Sequence, residues 1–380
     1  MLKIDRIENF EEFLKLEPIW NTLLAQSDCD IPFLTFEWFS CWWKAFGLNS
    51  DLMLLLIKDE DQTVAIAPLM RKKIKWRWFP VVAISFIANY HSNRCGLIIA
   101  KNEKRGIFDL IFKYFKESKC HFDILCFDFI VKDSMTDKVL KEALSANRMK
   151  YRATNGDLSP YIQIQGSWDD YKKSMSGNFR HKLNRIKNKF ERHGTYEITK
   201  FTNDRISEAM QDLAAVSRKT WKFKEKTAIA SNAQYMDLYS SIAKIFSKKG
   251  WLNIWILKFD NKPISFIFNF VYKNKVYSCK IGFDEEYADF APSEFLNAVA
   301  IKDCFDNKMD EYDWLGENLP FKMRWTSHCR AHIKYRIFQQ SVYGKILSSV
   351  ELFFLPKLRN VFITKLYKRG IKIGLAIGCF

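Results

Sequence analysis

The chain of 380 residues has no uncharged run long enough to cross a bilayer. Its longest uncharged run, residues 78–93, holds 16 residues and includes Asn, His and Ser. A membrane-spanning helix needs about 20 mostly apolar residues. The N-terminus leads directly into charged residues, so we also predict no secretory signal peptide. We therefore expect a cytoplasmic protein that is not embedded in a membrane.

The chain also lacks the short motifs of several large enzyme classes. No GxxxxGK[ST], GxGxxG or GxSxG is present, which argues against P-loop, Rossmann and α/β-hydrolase chemistry. Nine cysteines without a CxxC pair predict reduced thiols rather than a disulfide framework. His328 and His332 would share one face of a helix and could ligate zinc there, but no third ligand stands at a suitable spacing. We expect no metal.

Apolar and basic residues are abundant instead. Hydrophobic residues make up 48% of the chain, with 33 Phe and 12 Trp, which excludes an intrinsically disordered protein. A chain of this length is expected to form two domains. The net charge of +17 indicates an anionic partner, such as a phosphorylated donor molecule, RNA or an acidic membrane surface. Charge alone does not choose among these three.

Segments of helical and strand periodicity alternate along the chain and predict an α/β fold. In the first half we predict helices at 7–26, Phe36–Phe46, 103–116 and 136–147, and strands at 52–58, 64–71, 76–87, 95–99, 123–129 and near Tyr151. In the second half we predict helices at 168–193, 206–222, Ala233–Lys248 and 291–305, and strands at 161–165, Tyr196–Phe201, 251–259, 264–272, 276–283, 311–315 and 333–339. The halves share this order without a residue-level repeat. We expect domains at 1–158 and 159–340 and a basic amphipathic tail at 341–380.

Two short segments of the second half could carry chemistry. The helix that begins at Ala291-Pro292 follows strand 276–283, and its free N–H groups and dipole would suit a pyrophosphate. Most helices begin in this way without binding a ligand. Asp313 and Glu317 stand at or just beyond a strand end, where either could accept a proton from an amine or orient an acceptor. The alternative is a solvated strand end that pairs with Lys322 or Arg324.

Two further segments are strongly basic. Residues 172–192 carry eight Lys/Arg against Glu191, which favours an anion-binding face as much as a solvated one. From residue 331 to the C-terminus, nine Lys/Arg stand against Glu351 beside an apolar side. Such a tail can lie on an anionic leaflet or dock on its own domain.

Two groups of motifs together resemble the CelD-like (BioF2-like) acyltransferases of the GNAT superfamily, which are related to the Fem aminoacyl ligases. The first is SGNFRHKLNR at 176–185 with ERHG at 191–194. The second is GFDEEYA at 282–288, AP at 291–292, YDWLGE at 312–317 and FKMRW at 321–325. The resemblance covers about residues 160–326, and the N-terminal half only in outline.

This resemblance implies tandem GNAT-like domains with mixed sheets flanked by helices. It implies transfer of an acyl group from a thioester donor such as acyl-CoA to an amine or hydroxyl acceptor, in cell-envelope or polysaccharide biosynthesis. The donor would lie between strands 276–283 and 311–315, with its pyrophosphate near the opening of the helix. The implied donor-binding residues are Lys280, Ile281, Gly282, Phe283, Pro292, Ser293 and Phe295.

The resemblance also implies roles in transfer. Asp313 or Glu317 would deprotonate the acceptor, a backbone N–H of strand 276–283 would polarise the thioester carbonyl, and Tyr287 or Tyr312 would protonate the leaving thiolate. The implied substrate-binding or anion-binding residues are Arg180, Lys182, Arg185, Lys322, Arg324 and Trp325.

The chain departs from the family pattern at one place. Members commonly have Pro-Gly where this chain has Pro292-Ser293, followed by Glu294, whose charge would repel a phosphate. Lys280, Lys302 or the basic helix could compensate. Two alternatives therefore stay open. One is a Fem-type ligase that uses aminoacyl-tRNA, and the other is a non-catalytic membrane-associated module with the same fold.

Overall fold

The computed structural model describes residues 2–103, 106–118, 120–203 and 205–355. The predicted tail at 341–380 lies within this part of the chain only as far as residue 355. The strands are β1 Leu2–Ile7, β2 Asp51–Asp59, β3 Gln62–Trp76, β4 Phe79–Phe86, β5 Ile98–Ile99, β6 Ile124–Val131, β7 Tyr151–Gln163, β8 Tyr196–Phe201, β9 Leu252–Phe259, β10 Lys262–Tyr272, β11 Lys275–Phe283, β12 Glu311–Asp313 and β13 Cys329–Phe338.

Helices lie before, between and after these strands. They are α1 Phe10–Leu14, α2 Glu17–Ala25, α3 Phe36–Phe46, α4 Ile107–Glu117, α5 Met135–Ala146, α6 Trp168–Ser174, α7 Gly177–His193, α8 Ile206–Ser217, α9 Trp221–Lys224, α10 Ala233–Lys248, α11 Pro292–Asp306, α12 Pro320–Met323 and α13 Val342–Ser349. Short 3₁₀ turns occupy Pro32–Leu34, Gly47–Asn49, Ile229–Ser231 and Glu285–Phe290, and a π-helical turn at Val350–Phe354 continues α13. Among the described helices, none is long and apolar enough to cross a membrane.

The strands form one sheet in the order β1-β2-β3-β4-β6-β13-β7-β12-β11-β10-β9-β8, with β5 paired to β3 off this path. Each half contributes an antiparallel series, β1 to β4 and β8 to β11. In each half the fourth strand then pairs in parallel with the strand after the next helix, β4 with β6 and β11 with β12. This order confirms the expected tandem architecture of two mixed-sheet halves flanked by helices.

The two halves exchange their last strands. β13 lies between β6 and β7, although its residues fall in the predicted C-terminal domain. β7 in turn pairs with β13 along 151–160 and with β12 along 161–163. The segments predicted near 151 and at 161–165 are therefore one continuous strand. The boundary at 158 stays a prediction, but the sheet runs through it without a break.

Most predicted elements are confirmed within a few residues, and three predicted helices are wrong. The segment 7–26 is the end of β1 followed by α1 and α2, because the Asn9 side chain caps a short helix and Pro18 begins a second one. The segment 168–193 breaks at extended Met175, where Ser176 caps α7 with a hydrogen bond from the Phe179 amide. The segment 206–222 ends at Ser217 and resumes as α9.

An apolar core joins the two halves on one face of the sheet. Phe33 and Trp38, before and within α3, pack against Phe270 of β10 with ring centroids 5.6 and 5.9 Å apart. The aromatic segment Phe36–Phe46 is thus a core helix, as predicted. On the opposite face of the second half, α7 and α11 meet through stacked Phe190 and Phe295. Apolar side chains therefore pack against both faces of the sheet around β11.

Candidate functional site

The parallel pair β11–β12 separates after three residues. Lys275, Val276 and Tyr277 pair with Glu311, Tyr312 and Asp313. Beyond this point β11 continues to Phe283, whereas the chain after β12 turns away through Leu315 and Gly316, which have positive φ angles of 52° and 57°. The opening between the strands is a cavity of about 660 Å³, which we call the splay cavity.

The splay cavity gathers most of the predicted ligand-binding residues. Its walls come from β11, the first turn of α11, the segment 314–325, residues 220–222 and Asn93 of the first half. The predicted residues among them are Lys280, Ile281, Gly282, Phe283, Pro292, Ser293, Lys322, Arg324 and Trp325. Gly282 is required sterically, because a Cβ there would stand 2.6 Å from the Phe266 ring. These predicted residues thus lie together around one cavity, and the tertiary structure adds Asn93, Trp221 and Lys222.

Three lysines converge on the splay cavity. Lys222 Nζ donates to the carbonyl of Ile281 at 3.0 Å, and Lys322 Nζ donates to the carbonyl of Leu315 at 2.6 Å. Burial, together with the neighbouring charge of Lys222, lowers the pKa of Lys280 and of Lys322 to about 8. Burial also lowers the pKa of Lys222. The cavity is thus positive, and two of its amines can release a proton near neutral pH.

Lys280 differs from the other two lysines in its surroundings. Its Nζ lies 5.9 Å from the ring centroid of Tyr90 and 5.7 Å from that of Tyr239. Within the described part of the chain, no carboxylate forms an ion pair with it. A buried amine without a counter-ion releases its proton more readily than an exposed lysine, because no nearby negative charge favours the ammonium.

The opening of α11 shows how the chain accommodates Glu294. Its carboxylate contacts Lys182 of α7 and lies 3.3 Å from Arg324 Nη1. Of the three compensating groups considered, the basic helix supplies the direct partner, whereas Lys302 pairs with Asp306 outside the cavity. Lys182 and Arg324 neutralise the acid that would repel a phosphate at this helix terminus.

Asp313 is not the base that the sequence suggested. Its side chain is fully buried and contacts Arg94, while Arg330 Nη1 lies 2.6 Å away and the Leu315 amide donates to it at 2.9 Å. Burial alone would raise the pKa of this carboxyl, but the two guanidinium groups outweigh burial and the pKa is lowered. A carboxylate held by two arginines is a weak base. It instead joins the halves, because Arg94 belongs to the first one.

The remaining predicted catalytic residues also lie elsewhere. Tyr312 is buried in the core, where its hydroxyl donates to Asn297 Oδ1 at 3.4 Å and burial raises its pKa. Tyr287 packs against Phe259. Neither tyrosine is among the residues that line the splay cavity, so the role of either as the acid stays a prediction. Glu317 is exposed and does not line this cavity.

Phe295 and the basic helix need a similar correction. Phe295 stacks on Phe190, with ring centroids 5.0 Å apart, and belongs to the core rather than to a donor site. Arg180 donates to the carbonyl of Lys173 at 3.2 Å, and Arg185 is exposed. Only Lys182 of the three predicted basic residues on α7 reaches the rim of the splay cavity.

Residues 177–323 match the family model described as an acetyltransferase (GNAT) domain. The second half of this chain is therefore similar to a GNAT domain. The matched segment runs from the first residue of α7 to the last residue of α12, so it contains β11, β12 and the three lysines. Asn93, Arg324 and Trp325 are the residues of the splay cavity that lie outside it.

Solved structures share the tandem fold at low sequence identity. FemX aligns with a TM-score of 0.57 and 11% identity, over 90% of this chain and 100% of that one. The C-terminal domain of a putative lysylphosphatidylglycerol synthetase from Agrobacterium fabrum aligns with 0.52 and 10%, over 89% and 96%. A tandem GNAT protein from the clavulanic acid biosynthesis pathway aligns with 0.50 and 10%, over 90% and 100%. At these identities the likeness shows the fold alone. No curated protein matches the chain.

The first half differs from the second half beside its own parallel pair. β4 and β6 pair at Ala83–Ser85 and 124–126, after which the chain returns so that Cys95 bridges Ile130 and its amide donates to Phe129 at 2.9 Å. In the first half, residues that follow β4 therefore pair with β6 beyond the point where β4 ends. The same loop carries Arg94, whose side chain contacts Asp313 of the second half.

His328 and His332 do not form a helical pair. Both lie at or within the strand region of β13, and His328 packs against the ring of Tyr161. In the described residues no three side chains of His, Cys, Asp or Glu are grouped as metal ligands.

Proposed function

We propose that this protein is an acyltransferase that moves an acyl group from acyl-CoA to an amine or hydroxyl acceptor. The observation that carries this proposal is the lysine-lined splay cavity, placed where β11 leaves β12 within a GNAT domain. Cavities of about 300–1,000 Å³ suit small-molecule ligands, and the splay cavity has that size. Its apolar walls, including Phe283 and Trp314, suit a pantetheine arm, and its lysines suit phosphate.

The donor pyrophosphate would lie at the opening of α11. Ser293 replaces the usual glycine there, and its hydroxyl lies 3.4 Å from that of Ser265, so the side chain is turned toward a protein partner. The charge of Glu294 is offset by Lys182 and Arg324. The residues present therefore fit an anionic donor despite the departure from Pro-Gly.

Lys280 replaces Asp313 as the proposed proton acceptor. With a pKa of about 8, about one tenth of the side chain is neutral at pH 7 and about half at pH 8. The nucleophile of the acceptor attacks the thioester carbonyl, Lys280 takes its proton, and the sulfur leaves with the electron pair of the C–S bond. The Lys322 ammonium, fixed by Leu315, is placed to favour the negative charge that develops in the cavity.

A thermal-shift titration with CoA and with acyl-CoAs of increasing chain length tests this function. Ligand that binds the folded state at 100 times its Kd stabilises by about 2.7 kcal/mol. We expect Tm to rise, and to rise less in Lys222→Met, because the cavity loses a positive charge. If no acyl-CoA raises Tm or releases free thiol with any acceptor, the acyl-CoA proposal is wrong and a non-catalytic module is favoured.

The exposed face of α7 favours one second candidate, a Fem-type ligase that uses aminoacyl-tRNA. Arg185 and Lys187 point to solvent and are not used in the splay cavity, and FemX shares the fold. RNA binding weakens steeply with salt because counter-ions are released from phosphates, with a log–log slope of about −0.7 per contact on single strands. Arg185→Ala should flatten that slope if RNA is the donor, and should leave acyl-CoA transfer unchanged if it is not.

An exposed apolar stripe supports peripheral contact with an anionic membrane. Val342, Ile346 and Phe353 follow one face of α13 and its π-helical continuation. Exposed Trp78 is close to this helix, because the hydroxyl of Tyr343 donates to the Pro80 carbonyl at 3.0 Å. The lysines at 73, 75 and 345 are exposed around the stripe. Apolar residues that are framed by lysines suit a lipid surface of negative charge, where a cell-envelope acceptor would be found.

A further inference from the structure

A small cavity lies beside the end of α8, next to the splay cavity. It has a volume of about 140 Å³, and we call it the rear cavity. Its walls come from the end of α8, from α9, from residues 227–229, from β10 and β11, and from Tyr90. Lys222 and Lys280 line the rear cavity as well as the splay cavity. The two amines therefore stand between the proposed donor site and a second cavity that the donor does not use.

The polar groups around the rear cavity are mainly hydrogen-bond donors. Its described walls contain no Asp or Glu. Ser217 is 1% exposed, and its hydroxyl accepts a hydrogen bond from the Ala230 amide at 3.1 Å. Among the described residues none accepts the Ser217 hydroxyl proton, so this O–H is left to donate. Thr220 is also buried and donates to the Ser217 carbonyl at 2.9 Å. The walls thus offer donors and positive charge without a carboxylate.

The two lysines have no counter-ion in the part of the chain that the structure describes. Lys222 Nζ donates to a neutral group, the carbonyl of Ile281, at 3.0 Å. The charge of Lys222 also opposes that of Lys280, since it lowers the pKa of the Lys280 amine. Buried charges in proteins are normally paired with an opposite charge. Two like charges that line one small cavity make it a site for an anion.

The volume of the rear cavity limits the size of this anion. A water molecule takes up about 30 Å³ in the liquid, so the cavity has room for about five atoms of that size. Phosphate and sulfate each consist of one central atom and four oxygens. The pyrophosphate of the proposed donor would lie instead at the opening of α11. A free oxyanion therefore fits the rear cavity better than part of a nucleotide does.

We propose that the rear cavity binds a free tetrahedral oxyanion, phosphate or sulfate, between the ammonium groups of Lys222 and Lys280, and that the bound anion slows acyl transfer. This inference rests on the proposed role of Lys280 and names a regulator of the same site. A negative charge beside Lys280 favours its ammonium form, so less of the side chain can take a proton from the acceptor. No covalent bond forms or breaks on the anion.

Lys280 is the group that should report the anion. Burial raises the pKa of the two tyrosines around it, Tyr90 and Tyr239, and of the adjacent Cys279 thiol. His91 packs against both tyrosine rings, and burial together with the charge of Lys280 lowers its pKa to about 2. These four groups are uncharged near pH 8, so a change of charge at that pH belongs to the lysines.

The pKa of Lys280 can be followed without donor or acceptor. We would record its side-chain ¹⁵N resonance in the full chain against pH, assigned by its loss in Lys280→Arg. Sodium sulfate and sodium chloride are compared at equal ionic strength, because salt also screens charges. Sulfate should raise the pKa from about 8 to about 9 or above, as expected for a neighbouring opposite charge, and chloride should not. Phosphate should act like sulfate. Glycerol phosphate carries the same group on a larger body and should bind more weakly.

Blocking the rear cavity distinguishes it from the splay cavity. Ala228 is 5% exposed and lines the rear cavity but not the splay cavity, so Ala228→Leu should abolish the sulfate effect and keep the Tm rise with acyl-CoA. Ala233→Leu adds the same volume at an exposed position outside both cavities and should keep the sulfate effect. Ser217→Ala is a smaller change that serves if Ala228→Leu does not fold. It should weaken sulfate binding at least threefold.

Turnover separates this inference from the proposed function. At pH 8 a rise of the pKa from about 8 to about 9 lowers the neutral fraction of Lys280 from about one half to about one tenth, so saturating sulfate should slow thiol release about fivefold. An unchanged rate would show that the anion does not regulate transfer.

Three other results would decide the matter differently. If sulfate leaves the pKa of Lys280 unchanged, or raises it equally in Ala228→Leu, the rear cavity is not an oxyanion site. If glycerol phosphate binds more tightly than sulfate, the free anion is the wrong ligand. If sulfate raises the pKa while no acyl-CoA binds, the anion site stands and the acyl-CoA donor is wrong.

Discussion

Replacing Lys280 with methionine should make the protein more stable and nearly inactive. Burial lowers the pKa of Lys280 to about 8 from a reference of 10.5. The difference corresponds to about 3 kcal/mol against the charged native state. This penalty is complete below pH 8, where both the folded and the unfolded chains are protonated. It fades as pH rises from 8 to 10.5, because the unfolded state then binds more protons. Methionine fills a similar volume without the charge.

The expected results are a higher Tm and a transfer rate at least 100-fold lower at pH 7.5. The parent rate should rise with pH to a plateau with a midpoint near 8, and Lys280→Met should lose that dependence. Lys280→Arg keeps the charge, so it should be as inactive as Lys280→Met without its gain in stability. Lys302→Met removes a lysine paired at the surface, so its rate should match the parent and its stability should change by less than about 1 kcal/mol.

The assay is release of free thiol from the acyl-CoA that raises Tm most, beside urea unfolding at pH 7 and pH 10. A Lys280→Met variant with the parent rate and pH profile would remove Lys280 as proton acceptor. A variant that is less stable than the parent at pH 7 would show that the ammonium is well accommodated, and the pKa argument would fail.

Three further predictions concern other parts of the molecule. Asp313→Asn should destabilise by about 3–5 kcal/mol in urea unfolding, with less than a tenfold change in rate per folded molecule, because it leaves buried Arg94 without a carboxylate, whereas Arg330 keeps Glu311. The contribution of Asp313 to the free energy of unfolding is complete at neutral pH. It is lost as pH falls through the lowered pKa of this carboxyl. Gly282→Ala should destabilise by about 1–3 kcal/mol and weaken donor binding, whereas Gly177→Ala should be neutral, because an added Cβ there would stand 3.8 Å from Arg180 Nη2. Phe353→Glu should reduce sedimentation with phosphatidylglycerol vesicles at least tenfold, and Leu48→Glu should not; equal loss in both would refute a specific membrane face.

The order of elements could be read along the chain. The turns at Asp260–Asn261 and Lys273–Asn274 have positive φ, as tight hairpins require, and they set the limits of β9, β10 and β11. The apolar stripe of α7 is buried as its spacing predicts. These features depend on neighbours within a few residues, so local sequence was sufficient.

The chemistry of the site depends on contacts between distant residues. Asp313 looked like a free strand-end acid, but Arg94 reaches it from 219 residues away. Lys222 enters the splay cavity because helix 206–222 breaks after Ser217, and no pattern in its own segment shows where that side chain points.

By itself the sequence determined the strands, the hairpins, the basic helix and the family pattern, because periodicity and turn chemistry act between near neighbours. Only the tertiary structure decided which charged groups are paired and which are free to act. Exchange of β7 and β13 brings Arg330 to Asp313 and His332 to Asp157. The separation of β11 from β12 leaves Lys280 without a counter-ion among the described residues. Burial and charge pairing are set by the whole fold, and they moved the proposed proton acceptor from Asp313 to Lys280.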